Sequence, residues 1–508
     1  VLHTKTGKTW SAAVAETILS LDLGTSGLKA VLFDAEGNNL ARSTCPCATR
    51  YGEGGRAEQD PEEWWKALVT VLGMLREQGG DTGSVSAIGI SGHMMGAVPV
   101  DAGGKALGSA LIHADTRAGE IADRLVERVG AERVYSVTGH RPSSSYSGPK
   151  IEWIRQNEPE RYRAAAYFLN PKDYLNARLT GIIATDRSDA SGTLLYDLST
   201  HDWSPEMIES FGIDVEKLPP VLPSTTVLGT VHGRAAAETG LPASAAVVCG
   251  AGDGICAGVG AGSVAPGLTY NYLGTTSWVA TTTAAPLADP LRRVFTFDHA
   301  VEGLYHSMGT MQSAGGAVEW FRSNYLGHIS DAGRSYAMLD DLIAESVPGS
   351  RGVIFLPYLQ GERSPWWNSG CTGGWYGLRM EHTMADMTRA LFEGVANNLA
   401  LIAEILDSFA PFRELSLLGG GGLSKEWPQI LCDGFNKPLH LLEGSDAVTA
   451  RGAAIIAGVG SGLMKDFSAA RALSRRSRTL YPESTGAAVL KSSRKNLEQT
   501  YHRLFSGK

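Results

Sequence analysis

Two stretches decide the fold: "LSLDLGTSGLKAVLFD" at residues 19–34 and "LTYNYLGTTSWVATTT" at residues 268–283. Each is an apolar or alternating run, a Gly-Thr turn, and a second such run, and that order predicts a β-hairpin. A hairpin with nearly the same turn in each half of the chain predicts a duplicated architecture. Successive backbone amides in such turns form concave sites for anions, so two of them facing one another would clamp a polyphosphate.

Working outward from the first hairpin, "SAIGISG" reads as a further strand and "QDPEEWWKALVTVLGML" as a helix, with Asp60 as N-cap and Pro61 in its first turn. Helices are also expected at "GEIADRLVERVG", ended by Gly130, and from near Pro149 through "KIEWIRQNEP". Strands alternating with helices predict an α/β domain. Midway, "AAVVCGAGDGICAGVGAG" reads as a buried strand running into a glycine cluster, where a hinge and a domain boundary are expected between Gly254 and Gly262. The pattern then restarts with the second hairpin, helical "AGGAVEWFRSNYL", the long helix "MADMTRALFEGVANNLALIAEIL", strand "ELSLLGGGG", helix "KEWPQILCDGF", strand "PLHLLE" and helix "DAVTARGAAIIAG". The expected division is 1–16 as an N-terminal extension, 17–256 as one domain and 257–508 as the other.

A chain of 508 residues is long enough for two or three cores. With 43% hydrophobic and 19% charged residues and a net charge of -8, it reads as a globular enzyme or binding protein, and it carries no basic block that would suit nucleic acid. The six cysteines lack metal-type pairing, and no secretory leader is apparent, so reduced thiols in a cytoplasm are expected. The apolar run "GAAIIAGVGSGLM" is too short to span a bilayer, and the Gly7-Lys8-Thr9 triplet lacks the upstream glycine of a P-loop.

Asp22 ends the first strand just before the turn, where a hard carboxylate oxygen suits a hydrated Mg²⁺ and an Asx-turn is the plainer alternative. Thr25, Ser26 and Lys29 bring amides, hydroxyls and a cation to the same hairpin, as terminal phosphates require. Asp253, among glycines that let a substrate approach, would accept a proton from a hydroxyl attacking a phosphoryl group; a turn aspartate is again the alternative. Gly419 to Gly422 close a strand ahead of a helix whose N-terminus would face a nucleotide, or they form a flexible turn. His93, Met94 and Met95 after a third strand suit core packing or a site. His113, Asp115 and Arg117 form a polar turn in which Asp115 and Arg117 would equally well pair with one another.

Together these stretches, with "EQDPEEWW", "NPKDYLNARLTG", "ATDRSDASGT", "CGAGDG", "FLPYLQGERSP", "GWYGL", "RALFEGVANNLA" and "LLGGGG", resemble the FGGY family of carbohydrate kinases, most closely its xylulokinase branch. The matching segments run from Thr17 to past Gly452. The resemblance implies two ribonuclease H-like, actin-type ATPase domains flanking a cleft. It also implies phosphorylation, dependent on ATP and Mg²⁺, of a terminal hydroxyl of a sugar such as the ketopentose D-xylulose. By the same resemblance Asp253 is the general base and Asp22 organises the metal. Thr25, Ser26 and Lys29 meet the phosphates, and Gly274, Thr275, Gly315, Gly419, Gly420 and Gly421 hold the nucleotide. The sugar pocket would be made by His93, Met94, Met95, His113, Asp115, Asp253 and Gly254. A small-molecule sugar is then the partner, with no membrane or nucleic acid, and a homodimer is left open.

The pocket departs from the branch's usual pattern. His93-Met94-Met95-Gly96 stands for Gln-Met-His-Gly, His113-Ala114-Asp115 for Trp-Asn-Asp, and Gly254 for Asn or Gln after the base. Fewer directional donors alter discrimination between hydroxyl patterns, so ribulose, L-xylulose, erythritol, gluconate and glycerol stay in view. From a different class, an actin- or Hsp70-like ATPase acting on a macromolecule would share both hairpins.

Overall fold

A computed structural model describes residues 16–505. The expectations for the N-terminal extension, including the Gly-Lys-Thr triplet, fall outside those residues except at Glu16.

Both hairpins form. The first pairs β1 (Thr17–Gly24) with β2 (Gly27–Asp34), and β3 (Asn39–Pro46) adds to it. Two strands parallel to β1 follow across the sheet, β4 (Val85–Gly92) and β6 (Ala246–Gly252), with β5 (Val227–Thr230) antiparallel at the edge. The order is β3-β2-β1-β4-β6-β5. The second hairpin pairs β7 (Thr269–Leu273) with β8 (Ser277–Thr283) in a seven-stranded sheet. Its remaining strands are β9 (Phe295–Asp298), β10 (Tyr305–Met311), β11 (Leu415–Leu418), β12 (Leu439–Leu442) and β13 (Arg476–Leu480). Without the extra edge strand β9, its order β10-β8-β7-β11-β12-β13 repeats that of the first sheet, with β11 and β12 again parallel to the hairpin's first strand.

Helices cover the outer faces. On the first sheet lie α1 (Pro61–Glu77), whose N-cap Asp60 accepts the Glu62 amide, and α4 (Pro171–Thr180). An appended lobe contains α2 (Gly119–Val129), ended by Gly130, and α3 (Ser147–Asn157), which begins two residues before Pro149. On the second sheet lie α6 (Gly315–Tyr325), the long α7 (Met384–Phe409) and α8 (Trp427–Phe435).

Between the sheets the glycine cluster departs from expectation. Asp253–Gly260 is a helix, α5, buried from Gly254 onward, and no loop or hinge segment occupies it. It crosses α9 (Val448–Ser461) so closely that a Cβ on Gly260 would overlap the Val448 carbonyl, and one on Gly452 the Cys256 carbonyl. The glycines therefore serve contact between backbones, and tertiary burial stabilises a helix that its sequence alone would not. α9 packs on β1, β4 and β6 of the first sheet, although it follows the second sheet's parallel strands. α5, which follows the first sheet, meets the second sheet at Tyr270 and His306. One apolar cluster, including Ile18, Val248, Ile255, Tyr270, Met308 and Ile456, joins both sheets through these helices. The expected boundary after residue 256 cuts through α5.

Candidate active site

β1, β4 and β6 run parallel and end together, with Asp22 and Ala251 both paired with Ser91, so Asp22 and Asp253 emerge at one sheet edge. Ligands of parallel sheets bind at the carboxyl ends of strands. Burial raises the Asp253 carboxyl to about 7, and the neighbouring charge of Asp22 adds to the rise; the Gly254 amide, donating to Oδ1 at 2.7 Å, opposes it. Asp22 is also raised by burial, against the pull of Lys29 across the hairpin. Asp22, a hard oxygen donor beside the phosphate-facing turn, would suit a hydrated divalent cation that supplies positive charge there. Asp22 sits directly at the turn, as that role demands.

The second sheet faces this pair. Burial raises the Tyr272 phenol, and Asp22 and then Asp253 raise it further. Tyr272 is the residue before Leu273-Gly274, the counterpart of Asp22 before Leu23-Gly24, so the two turns oppose one another. Tyr272 stacks on Trp278 with ring centres 4.2 Å apart. Trp278 donates to the Tyr270 hydroxyl, which donates to the Gly254 carbonyl at 2.9 Å.

Behind the second turn lies a cavity of about 750 Å³, lined by Gly274, Thr275, Gly315, Gly420 and Gly421, with Tyr336 and Asp340 among its walls. The Gly315 and Gly316 amides donate to the carbonyls of Gly274 and Thr275, knitting the turn to the start of α6. Gly419 lies against the Leu273 carbonyl at φ 86°, where a side chain would be strained, and Gly420 has open space at its Cβ position. The cavity's size and glycine rim fit a nucleotide. One expectation changes: Gly420–Leu423 is a 3-10 turn, and α8 begins only at Trp427, whose amide donates to the Ser424 hydroxyl at 3.0 Å, so its N-terminus does not start at the glycines.

In the first turn, Gln59 holds the Thr25 carbonyl and the Cys47 amide holds that of Ser26. No protein group engages either hydroxyl among the described residues. The Lys29 ammonium donates at 2.7 Å to the carbonyl of Asp446, just before α9, which uses one of its three donors and ties the first turn to the second half of the chain.

The polar turn divides. Asp115 is fully buried and bonded to Arg117 and the Ala57 amide, while Arg117 also pairs with Glu58 and lies over Trp153. That network engages both carboxylate oxygens of Asp115 as acceptors, which makes it a structural residue and no sugar ligand. Met94 is core packing against Gly252. Met95 has φ 67°, and its carbonyl accepts from Lys150 Nζ at 3.1 Å. His93 is 2% exposed, neither ring nitrogen has a hydrogen-bond partner among the described residues, and burial lowers it to about 3. Its ring centre is 6.0 Å from that of His113, which burial, Lys150 and Arg363 lower to about 4.

Lys150, Arg363, Tyr272 and Trp278 were not anticipated. A lysine within a helix reads as solvated, yet α3 buries Lys150 completely among the carbonyls of Met95, Ser145 and Tyr146, and burial lowers it to about 7. Among the described residues no cluster of three or more His, Cys, Asp or Glu could hold a metal, and no helix is long and apolar enough to cross a membrane. All six cysteines are unpaired.

Residues 17–260 match the FGGY family of carbohydrate kinases, N-terminal domain, and residues 269–461 its C-terminal domain. The chain is 30% identical over 474 residues to the xylulose kinase of Bacillus subtilis (strain 168), covering 92% of this chain and 93% of that one. It is also 30% identical over 475 residues to the L-xylulose/3-keto-L-gulonate kinase of Escherichia coli (strain K12), with the same coverage. The crystal structure of xylulose kinase from Rhodospirillum rubrum superposes with a TM-score of 0.88 at 29% identity, covering 96% of this chain and 99% of that one. Two matched domains and two sheets of one repeated topology lead to the same conclusion: the chain belongs to the FGGY family of carbohydrate kinases.

Proposed function

We propose that this carbohydrate kinase transfers the terminal phosphoryl group of ATP to a terminal hydroxyl of a ketopentose such as D-xylulose, in the cytoplasm, with the lobe built on the first sheet binding the sugar and that built on the second sheet the nucleotide. The observation that carries the reading is the placement of Asp22 and Asp253 at the ends of β1 and β6, the two strands that flank β4, opposite a glycine-rimmed cavity. Asp253 takes the proton of the attacking hydroxyl. Its raised proton affinity suits it to that task, because a base works best with a pKa near the working pH. Asp22 holds Mg²⁺, which when bound supplies positive charge against the phosphate oxygens. Thr25 and Ser26 offer hydroxyls and amides from one turn, Gly274 and Thr275 from the other. Tyr272 and Trp278 exclude water with a flat apolar wall. Alignment and charge neutralisation supply most of the acceleration.

A second reading concerns the sugar's other end. Arg363 Nε, Arg292 Nε and both His93 ring nitrogens are buried without hydrogen-bond partners, and Arg141 lies over Trp367. Unpartnered buried donors are costly, and the carboxylate of a sugar acid would accept from the arginines and from the single N–H of the neutral His93 ring, where a neutral ketose offers only hydroxyls.

The deciding experiment is a coupled ADP-release screen over ketopentoses, polyols, aldonates and glycerol. Stimulation by a ketopentose supports the first reading and stimulation by aldonates alone the second. Sugar-independent ATP hydrolysis by active protein would favour a macromolecule-directed ATPase. Thr275→Val is expected to raise the apparent KM for ATP several-fold while leaving sugar binding, measured calorimetrically without nucleotide, unchanged. Equal KM values in variant and wild type would remove Thr275 from the nucleotide site.

A further inference from the structure

Residues 170–193, which carry two of the motifs noted in the sequence, have no part in the scheme above. They enclose a fully buried ionic cluster. Lys172 Nζ lies 2.6 Å from Asp173 Oδ1, 2.9 Å from Asp186 Oδ1 and 3.2 Å from Asp189 Oδ2. Three carboxylates around one ammonium are out of balance, and burial raises Asp189 well above, and Asp173 somewhat above, the ordinary carboxylate range. Burying ion pairs is weak as a device for stability, since apolar residues of similar volume commonly do as well, and such clusters can instead fix a geometry.

The cluster's connections run to the catalytic edge. Asp186 Oδ2 accepts the Ser188 hydroxyl at 2.6 Å, the Ser188 amide at 2.9 Å and the Ser224 hydroxyl at 2.7 Å. The Ser188 oxygen in turn accepts the Gly252 amide at 3.0 Å, and the Ser224 carbonyl accepts that of Gly250. Gly252 ends β6 and is the residue before Asp253. On the far side, the Lys172 stem closes on Gly92 at the end of β4, where an added Cβ would come within 2.8 Å of it. The ends of two neighbouring strands are thus gripped from behind by one assembly.

We infer that Lys172, Asp186 and Ser188 are positioning residues: a buried strut that fixes the Ala251–Gly252 peptide, immediately ahead of Asp253, and so aims the Asp253 carboxylate at the sugar hydroxyl. The inference rests on Asp253 being the base. Chain distance conceals the device, because Ser188 and Gly252 are 64 positions apart. Small misplacement of a reacting group costs up to about 10²-fold in rate, so a hydroxyl that touches no substrate can still govern turnover.

The test compares Ser188→Ala, Ser188→Thr, Ser224→Ala and Asp253→Ala, with thermal unfolding as a check on folding. Ser188→Ala is expected to lower kcat about 10- to 10²-fold with both KM values within about two-fold of wild type. Ser188→Thr, which keeps the hydroxyl, should restore kcat, and Ser224→Ala, which removes the second hydroxyl held by Asp186 Oδ2, should lower kcat more weakly, again with both KM values little changed. A kcat within about two-fold of wild type in both alanine variants, or a loss in Ser188→Ala that Ser188→Thr does not restore, overturns the inference. If Ser188→Ala fails to fold, Ser224→Ala decides. Near-normal turnover by Asp253→Ala would instead remove the base assignment and leave the strut without a function.

Discussion

Asp253→Ala is expected to retain nucleotide affinity and lose phosphoryl transfer by about 10²–10⁴-fold, the usual cost of removing a positioned base. The split matters: Asp253 opens α5 at the first sheet's edge, whereas the glycine-lined cavity belongs to the second sheet, so one can fail without the other. Turnover within a few-fold of wild type, measured by ADP release at saturating sugar, would exclude Asp253 as the base. The same carboxyl predicts a pH profile. It must be ionised to accept a proton and is held at about 7, so kcat/KM should climb about tenfold per pH unit below neutrality and level off above it. Asp22 contributes to that rise, so Asp22→Asn should move the limb downward while increasing the Mg²⁺ needed for half-maximal rate. A limb that stays in place would mean the two carboxylates do not interact.

Gly452→Ala should be the most damaging single-methyl substitution in the chain. The added carbon would come within 1.8 Å of the Cys256 carbonyl oxygen, which is backbone and cannot swing aside. Overpacking typically costs about 1–3 kcal/mol, and more where helices must separate, so a loss of about 3 kcal/mol or greater is expected. Parting α5 from α9 also shifts the first residue of α5, Asp253, so residual folded protein should turn over slowly even at temperatures where it is stable. An unchanged Tm and kcat would show that this crossing tolerates separation.

Both results test positions that the sequence exposes unequally. The hairpins, the helix opened by Asp60 and Pro61, and the strand leading to Asp253 were legible because period, cap and turn residues all agreed. The glycine cluster was misread because glycine density signals a loop when only local rules apply, whereas here a helix facing a second glycine-bearing helix needs it. Lys150 and Lys172 were opaque for a related reason. A lysine is assumed solvated until three-dimensional neighbours supply carbonyls or carboxylates, and those neighbours come from separate segments. Lys29 was correctly located, but its contact with Asp446, 417 positions away, has no local signature. Asp115 and Arg117 were legible only as alternatives, and the burial of Asp115 decided between them.

The placement of α5 and α9 has a consequence for the chain as an object that can be cut. Each sheet relies on a helix encoded beyond the segment that builds most of its strands, so a fragment ending before residue 448 would leave the apolar inner face of the first sheet open to water. Separately produced fragments should be poorly soluble alone and recover a folded, active protein only by complementation in trans. Two lobes of one repeated strand order thus share a single helical layer, and neither is expected to fold alone.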